Sequence, residues 1–119
     1  MTNEEFAEFF KKKTKNWAIR IIKYLDMIRD SPAMRNIRFQ LIKSATSTAA
    51  NYRAACRGRS NAEFSAKISI SLEEADESLF WLEMIEGCEI DNSQELKELQ
   101  DEGNIIVGVL VKARKNTEK

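Results

Sequence analysis

Apolar side chains recur every three or four residues through four segments of this chain, the spacing of a helix with one buried face. The residues between the segments are rich in Ser, Pro, Gly, Asn and Asp, which favour helix caps and turns. The pattern predicts helices over about 3–28, 33–57, 61–86 and 92–115. Together they are expected to form one domain spanning residues 1–119, a length typical of a single domain.

The predicted helices are long and their connections are short. Helices of ~22–26 residues would measure ~33–39 Å. Because short connections make successive helices run in opposite directions, we predict an all-α fold, an antiparallel up-down-up-down four-helix bundle. The positions predicted to face its core are Phe6, Phe10, Trp17, Ile21, Tyr24, Ile28, Ile37, Leu41, Ser44, Thr48, Tyr52, Ala55, Phe64, Ile68, Leu72, Ala75, Leu79, Leu82, Leu96, Leu99, Gly103, Ile106, Leu110 and Ala113.

Several residues predict where the helices begin and end. Pro32 suits the first turn of the second helix, where its missing N–H does no harm. Gly58 is expected to take the left-handed conformation just past that helix. Ser60 and Glu63 match a capping box for the third helix, which Gly87 is expected to end.

The residue types exclude most catalytic chemistry. The chain has no histidine, so it lacks imidazole bases, Ser-His and Cys-His pairs, and the Glu-x-x-His motif of di-iron bundles. Cys56 and Cys88 are expected to lie about 30 Å apart by helical rise, whereas a disulfide needs Cα atoms within ~7 Å. Two thiols are also too few for a structural zinc. We therefore predict no catalytic residue, no metal and no cofactor.

The sequence also indicates the cellular compartment of the protein. No apolar run approaches the ~18 residues of a membrane span, and the acidic-then-basic start lacks the order of a signal peptide. We expect a cytoplasmic protein with reduced thiols and no membrane partner.

Charge is divided unevenly along the chain, although the net charge is zero. Residues 1–60 hold 13 Lys and Arg against 5 Asp and Glu, and residues 61–119 hold 6 against 14. One interpretation is that a basic half folds against an acidic half. The other is that a basic face binds an acidic partner such as RNA.

A basic cluster surrounds the predicted turn between the second and third helices. Arg53 and Arg57 share a helix face, Arg59 lies in the turn, and Lys67 follows on the third helix. These four residues are the candidate nucleic-acid site, which would contact phosphates without reading bases. Alternatively, Arg57 pairs with Glu63, and Arg53 pairs with an acidic residue of the third helix or of a neighbouring subunit.

Two further basic features have ordinary interpretations. Lys43 is expected to lie near Asp76 and Glu77 across the helical hairpin. A run of lysines on the first helix is typical of a solubilising surface, and it would also add to an electrostatic footprint. This run comprises Lys11, Lys12, Lys13 and Lys15, with Arg20 and Lys23 further along.

The end of the third helix is apolar nearly all round. A helix on the outside of a monomeric bundle keeps a polar back, so part of this surface would be exposed unless a partner covers it. Phe80, Trp81 and Met84 are the candidate interface of a homo-oligomer. The alternative is that the first helix covers them.

The stretch from Phe39 to Ile85 combines a Q-L-x-x-S-A-x-S-x-x-A-N-x-x-A run, an Arg-Ser turn, an E-F pair and a small-residue third helix that ends in a W-L-E segment. This combination resembles the bacterial four helix bundle protein family, also described as the 23S rRNA intervening-sequence, or S23, protein family. Gly58 stands where the family pattern has Ala. The matching residues are Gln40, Leu41, Ser44, Ala45, Ser47, Ala50, Asn51, Arg59, Ser60, Glu63, Phe64, Glu77, Ser78, Trp81, Leu82 and Glu83.

The resemblance implies a four-helix bundle that assembles as a ring-shaped homopentamer without enzymatic activity. It also implies relatives that are basic pentamers contacting nucleic acid and a reverse transcriptase. The neutral net charge of this chain departs from such strongly basic binders. We therefore expect a non-enzymatic oligomeric scaffold with RNA or DNA as a candidate partner, and the alternative is a structural or protein-interaction oligomer without nucleic-acid affinity.

Overall fold

A computed structural model describes residues 1–118 of the chain. It contains four helices, α1 (Asn3–Asp26), α2 (Pro32–Cys56), α3 (Asn61–Gly87) and α4 (Gln94–Lys115). Each observed bound lies within two residues of its predicted position. No strand occurs in the described part of the chain, which confirms the all-α prediction.

Side-chain contacts fix the direction of each helix. Lys13 pairs with Glu102 and Arg20 pairs with Glu95, so α4 runs antiparallel to α1. The pairs α1–α2, α2–α3 and α3–α4 are also antiparallel, because residues early in one helix contact residues late in the next. Over the described residues, the diagonal pairs α1–α3 and α2–α4 bring no Cα atoms within 8 Å of each other. The helices therefore form an antiparallel four-helix bundle.

The core contains the predicted positions with four exceptions. Phe6, Ile28, Phe64 and Ala113 are partly or largely exposed, because they lie at helix ends where the bundle offers fewer neighbours. Phe6, for example, is 39% exposed and stacks on buried Phe10 at 5.8 Å. Each fully buried large side chain contributes about 1.5–3 kcal/mol to folding, so the mid-helix positions dominate stability.

Small side chains bring α2 and α3 close together. The Ser71 hydroxyl donates to the backbone carbonyl of Thr48 at 2.7 Å, and the Ser78 hydroxyl donates to the Ser44 hydroxyl at 2.7 Å. A side-chain hydroxyl can reach the backbone of the facing helix only where no bulkier group intervenes. No buried side-chain N or O atom among residues 1–118 lacks a partner, so these polar groups carry no desolvation penalty for an unmade bond.

Hydroxyl side chains cap all four helices at their N-termini. Each cap accepts a hydrogen bond from the N–H three residues on, satisfying one of the free donors of the first turn. The caps are Thr2, Ser31, Ser60 and Ser93. Helix α1 ends two residues before the predicted position, and the Arg38 guanidinium donates to the carbonyl of Leu25 in its last turn and to that of Ile28 just beyond its end.

One prediction about helix ends is wrong. Gly58 does not adopt a left-handed conformation, although a Cβ at this position would make a tight contact of 3.1 Å with the carbonyl oxygen of Ala55. Helix α3 ends at Gly87, its last residue, close to the predicted position, and the left-handed residue that follows is Glu89, with φ of 59°.

A buried tyrosine ties α1 to the α3–α4 connection. The Tyr24 hydroxyl donates to the Asp91 carboxylate at 2.6 Å, and the Ser93 hydroxyl donates to the same oxygen at 2.7 Å. The bond from Tyr24, and after it the bond from Ser93, hold the pKa of Asp91 below its usual value. Burial and the Asp91 carboxylate raise the pKa of Tyr24, so the tyrosine stays a donor.

We predict that Tyr24→Phe lowers the free energy of unfolding by about 1 kcal/mol at neutral pH, because it removes a hydrogen bond to a partly exposed carboxylate. Because the pKa of Asp91 is lower in the folded state than its unfolded value of 3.8, the ionised carboxylate stabilises the fold at pH values above 3.8. This contribution is lost as the pH falls through the folded-state pKa. The difference between wild type and variant should therefore shrink in acid. Urea unfolding at several pH values measures this difference in stability, and Asp91→Asn is the control. An equal difference between wild type and Tyr24→Phe at every pH would contradict the assignment of the bond to the Asp91 carboxylate.

Candidate partner-binding surfaces

An open groove of about 590 Å³ lies between α1 and α2. It carries five cationic side chains, Lys11, Lys12 and Lys15 from α1 and Arg53 and Arg57 from α2. We call this surface the basic groove. Three of the four lysines of the run thus share one surface with the arginine pair, although the sequence presents the two as separate clusters.

Small aliphatic residues keep the basic groove open. Its remaining lining is mostly alanine and isoleucine, because α1 and α2 present short side chains where they face outward together. Ile19 is 39% exposed, so the lining offers apolar surface between the cations. The aliphatic residues are Ala18, Ile19, Ile22, Ala49, Ala50 and Ala54.

The charges of the basic groove are largely unneutralised. The only acidic residue lining it is Glu8, which pairs with Lys11. That lysine holds the pKa of the exposed Glu8 carboxyl below its usual value. No other groove cation belongs to an ion pair within residues 1–118.

The predicted pairing of Arg57 with Glu63 is wrong. The Glu63 carboxylate instead accepts a hydrogen bond from the backbone N–H of Arg59 at 2.7 Å, while its own N–H donates to Ser60. The acid thus helps to hold the turn and is not directed at α2. Within the described residues Arg53 has no acidic partner on α3 either.

The other candidate nucleic-acid residues lie outside the basic groove. Arg59 is exposed in the turn between α2 and α3, and Lys67 is exposed on α3. Neither lines the groove. The structure therefore brings together two of the four predicted residues, and it adds three lysines of the α1 run, for which the sequence offers both a solubilising surface and an addition to the electrostatic footprint.

Part of the basic charge does fold against the acidic half. Lys13 pairs with Glu102 at 2.8 Å, and Arg20 pairs with Glu95 and Glu98 at 2.7 and 3.1 Å. These pairs join α1 to α4 and are partly exposed, so each contributes little to stability. They account for Lys13 and Arg20, two of the three α1 cations that do not line the basic groove.

The outer face of α3 combines apolar and acidic side chains. Phe80 is 49% exposed and meets Trp81 edge to face at 5.1 Å. Trp81 and Met84 are half-buried. Helix α1 lies diagonally across the bundle from α3, so the alternative that α1 covers this surface is wrong. The acidic-aromatic face, as we call it, comprises Ile70, Glu73, Glu77, Phe80, Trp81 and Met84.

Carboxylates crowd one another beside this face. Burial, then Glu77 and Glu73, raise the pKa of Glu74, and Lys43 opposes the shift. Lys43, predicted to lie near Asp76 and Glu77, thus lies close enough to α3 to act on Glu74.

Cys56 and Cys88 are free thiols, as predicted. Residues 1–118 contain no group of three or more potential ligands arranged to hold a metal ion. None of the helices in that range combines the length and apolar character needed to cross a bilayer.

The fold and its unneutralised surfaces define a small four-helix bundle protein, and comparison with known proteins places it more narrowly. Residues 9–112 match the 23S rRNA-intervening sequence protein family, and the chain belongs to this family. The match confirms the resemblance seen in the sequence.

A solved structure shows the same fold. It is a protein with unknown function from the S23 ribosomal protein family of Bacteroides thetaiotaomicron VPI-5482. The two chains are 27% identical with a TM-score of 0.83, and the similarity covers 92% of this chain and 97% of the other. No curated protein matches this chain.

Proposed function

We propose that this protein is a non-enzymatic helical scaffold that self-associates into a ring-shaped homo-oligomer in the cytoplasm. The family resemblance suggests a pentamer. The observation that carries the proposal is the acidic-aromatic face, where Phe80 is 49% exposed and α1, across the bundle, does not approach α3. Exposed aromatic surface on a helix back is typical of an interaction site.

A second candidate function is binding of nucleic acid through phosphate contacts. The basic groove supports it, because five cations face one carboxylate there in a chain of zero net charge. No aromatic residue lines the groove, so the contacts would be electrostatic and independent of base sequence. Arg59 and Lys67 would add peripheral charge. The alternative remains an oligomer that binds only proteins.

Mass measurement in solution tests the scaffold. We expect light scattering at micromolar concentration to give a multiple of the 13.7 kDa chain mass, near fivefold for the pentamer. A monomer at that concentration would rule out self-association.

RNA binding at two salt concentrations tests the second function. Affinity should fall steeply with salt, since each neutralised phosphate contributes a slope of about −0.7 to −0.9 in log affinity against log salt. Arg53→Glu combined with Arg57→Glu should abolish binding, whereas Lys97→Glu, on exposed α4 surface outside the groove, should reduce it far less. If RNA does not bind, the scaffold acts on proteins alone.

A further inference from the structure

We propose that the acidic-aromatic face of one copy docks into the basic groove of a second copy. This inference rests on the self-association proposed above and names the two surfaces that meet. The occupant of the groove is thus a helix of the same chain.

The acidic-aromatic face has the spacing of a helix-packing seam. Its residues Ile70, Glu73, Glu77, Phe80 and Met84 lie three and four apart along α3, so they form one stripe. Such a stripe is buried against another helix when apolar residues occupy it. Here Ile70 and Phe80 are 39% and 49% exposed in the single chain.

The charge of the stripe excludes a symmetric pairing of two α3 helices. Glu73 and Glu77 would then meet the same carboxylates of the other copy, and like charges face to face oppose association. Glu74 beside them already has a raised pKa, caused in part by these two neighbours. The stripe therefore needs a surface that is apolar and basic.

The basic groove has that chemistry and a matching length. Aliphatic Ile19 and Ile22 can cover Phe80 and Ile70, while Arg53 and Arg57 can pair with carboxylates. Alanines on α2 let the backbone of a docking helix approach closely. The groove follows α2 from residue 46 to 57, about 17 Å, and the stripe spans residues 70–84, about 21 Å by helical rise.

Two different surfaces on each copy make the contact heterologous. Every copy then presents one groove and one stripe, and all surfaces are covered only when the chain of copies closes into a ring. The groove arginines lie inside the interface in this arrangement. Nucleic acid and a second copy would therefore compete for Arg53 and Arg57.

Charge exchange tests the proposed interface. The groove variant carries Arg53→Glu and Arg57→Glu, and the stripe variant carries Glu73→Arg and Glu77→Arg. We expect each variant to be a monomer by light scattering while it keeps the wild-type helical circular dichroism. The chain with all four substitutions should regain the wild-type mass, because opposite charges again face each other. A control with Lys97→Glu and Lys112→Glu, on α4, should keep the wild-type mass.

Mixing the two variants gives a further check. The groove variant is acidic on both surfaces and the stripe variant is basic on both, so the copies must alternate. Alternation closes only rings with an even number of copies, and an odd wild-type ring would be replaced by an even assembly.

The possible results separate this inference from the proposed function. A monomeric wild type would overturn both. An oligomeric wild type whose mass is unchanged in the groove variant would overturn only the docking inference. Loss of RNA binding in that variant without loss of mass would assign the groove to nucleic acid instead.

Discussion

Trp17→Ala is expected to lower the free energy of unfolding by about 3–5 kcal/mol, the range for truncating a buried aromatic residue. Trp17 is 1% exposed. Its indole N–H donates to the backbone carbonyl of Leu99 at 3.0 Å, so one side chain supplies both apolar contact and a hydrogen bond between α1 and α4. Alanine would leave a cavity where these two helices meet.

Trp17→Phe separates the two contributions. Phenylalanine keeps most of the apolar volume and loses the hydrogen bond, so we expect a cost of about 1–2 kcal/mol. Denaturant unfolding followed by circular dichroism at a single protein concentration measures both variants, since self-association would also shift apparent stability. Equal costs for Ala and Phe would show that packing against Trp17 contributes little.

Gly103→Ala is expected to destabilise the protein by about 1–2 kcal/mol, although alanine normally improves a helix by about 1 kcal/mol. A Cβ at this buried position in α4 would lie 2.6 Å from Cδ2 of Leu79 and 2.9 Å from Cζ2 of Trp17. Leu79 can rotate away, but the indole is held by its bond to Leu99. The missing side chain of Gly103 therefore makes room for Trp17.

Gly108→Ala is the matched control in the same helix. Nothing lies within 4 Å of a Cβ placed there, so we expect stabilisation by about 0.5–1 kcal/mol from helix propensity alone. In the Trp17→Phe background, Gly103→Ala should cost less, because phenylalanine lacks the fused ring that carries Cζ2. Additive effects in this double-mutant cycle would contradict the proposed contact.

Helical periodicity predicts which face of each helix is buried, and it does so well at mid-helix positions such as Leu41 and Leu82. It says less about helix ends, where single side chains decide. Glu63 is an example. The sequence suggests either a capping box with Ser60 or a partner on α2, and the carboxylate instead accepts from the N–H of Arg59. A local bond of this kind needs less chain ordering than a pair between helices.

The basic groove could not be predicted from the same patterns. Lys11 and Lys15 share one face of α1, and Arg53 and Arg57 share one face of α2, as spacing shows. Whether those faces adjoin depends on which side of α2 the first helix packs. Packing α1 on either side of α2 would bury the same apolar stripes, so helical periodicity does not distinguish the two arrangements. The α3 surface was predictable because more apolar residues surround Phe80 than one buried stripe needs.

The hydroxyl groups between α2 and α3 also fix how these helices are aligned lengthwise. If α2 slid past α3 by one turn, about 5.4 Å, Ser71 would lose the Thr48 carbonyl and Ser78 would lose Ser44. Ser78 and Ser44 would keep their bonds to the carbonyls of Glu74 and Leu41, but the buried Ser71 hydroxyl would lose its partner at a cost of about 1–3 kcal/mol. Helices α2 and α3 thus pack in a single lengthwise alignment, and α1 and α4 pack against the pair in that alignment.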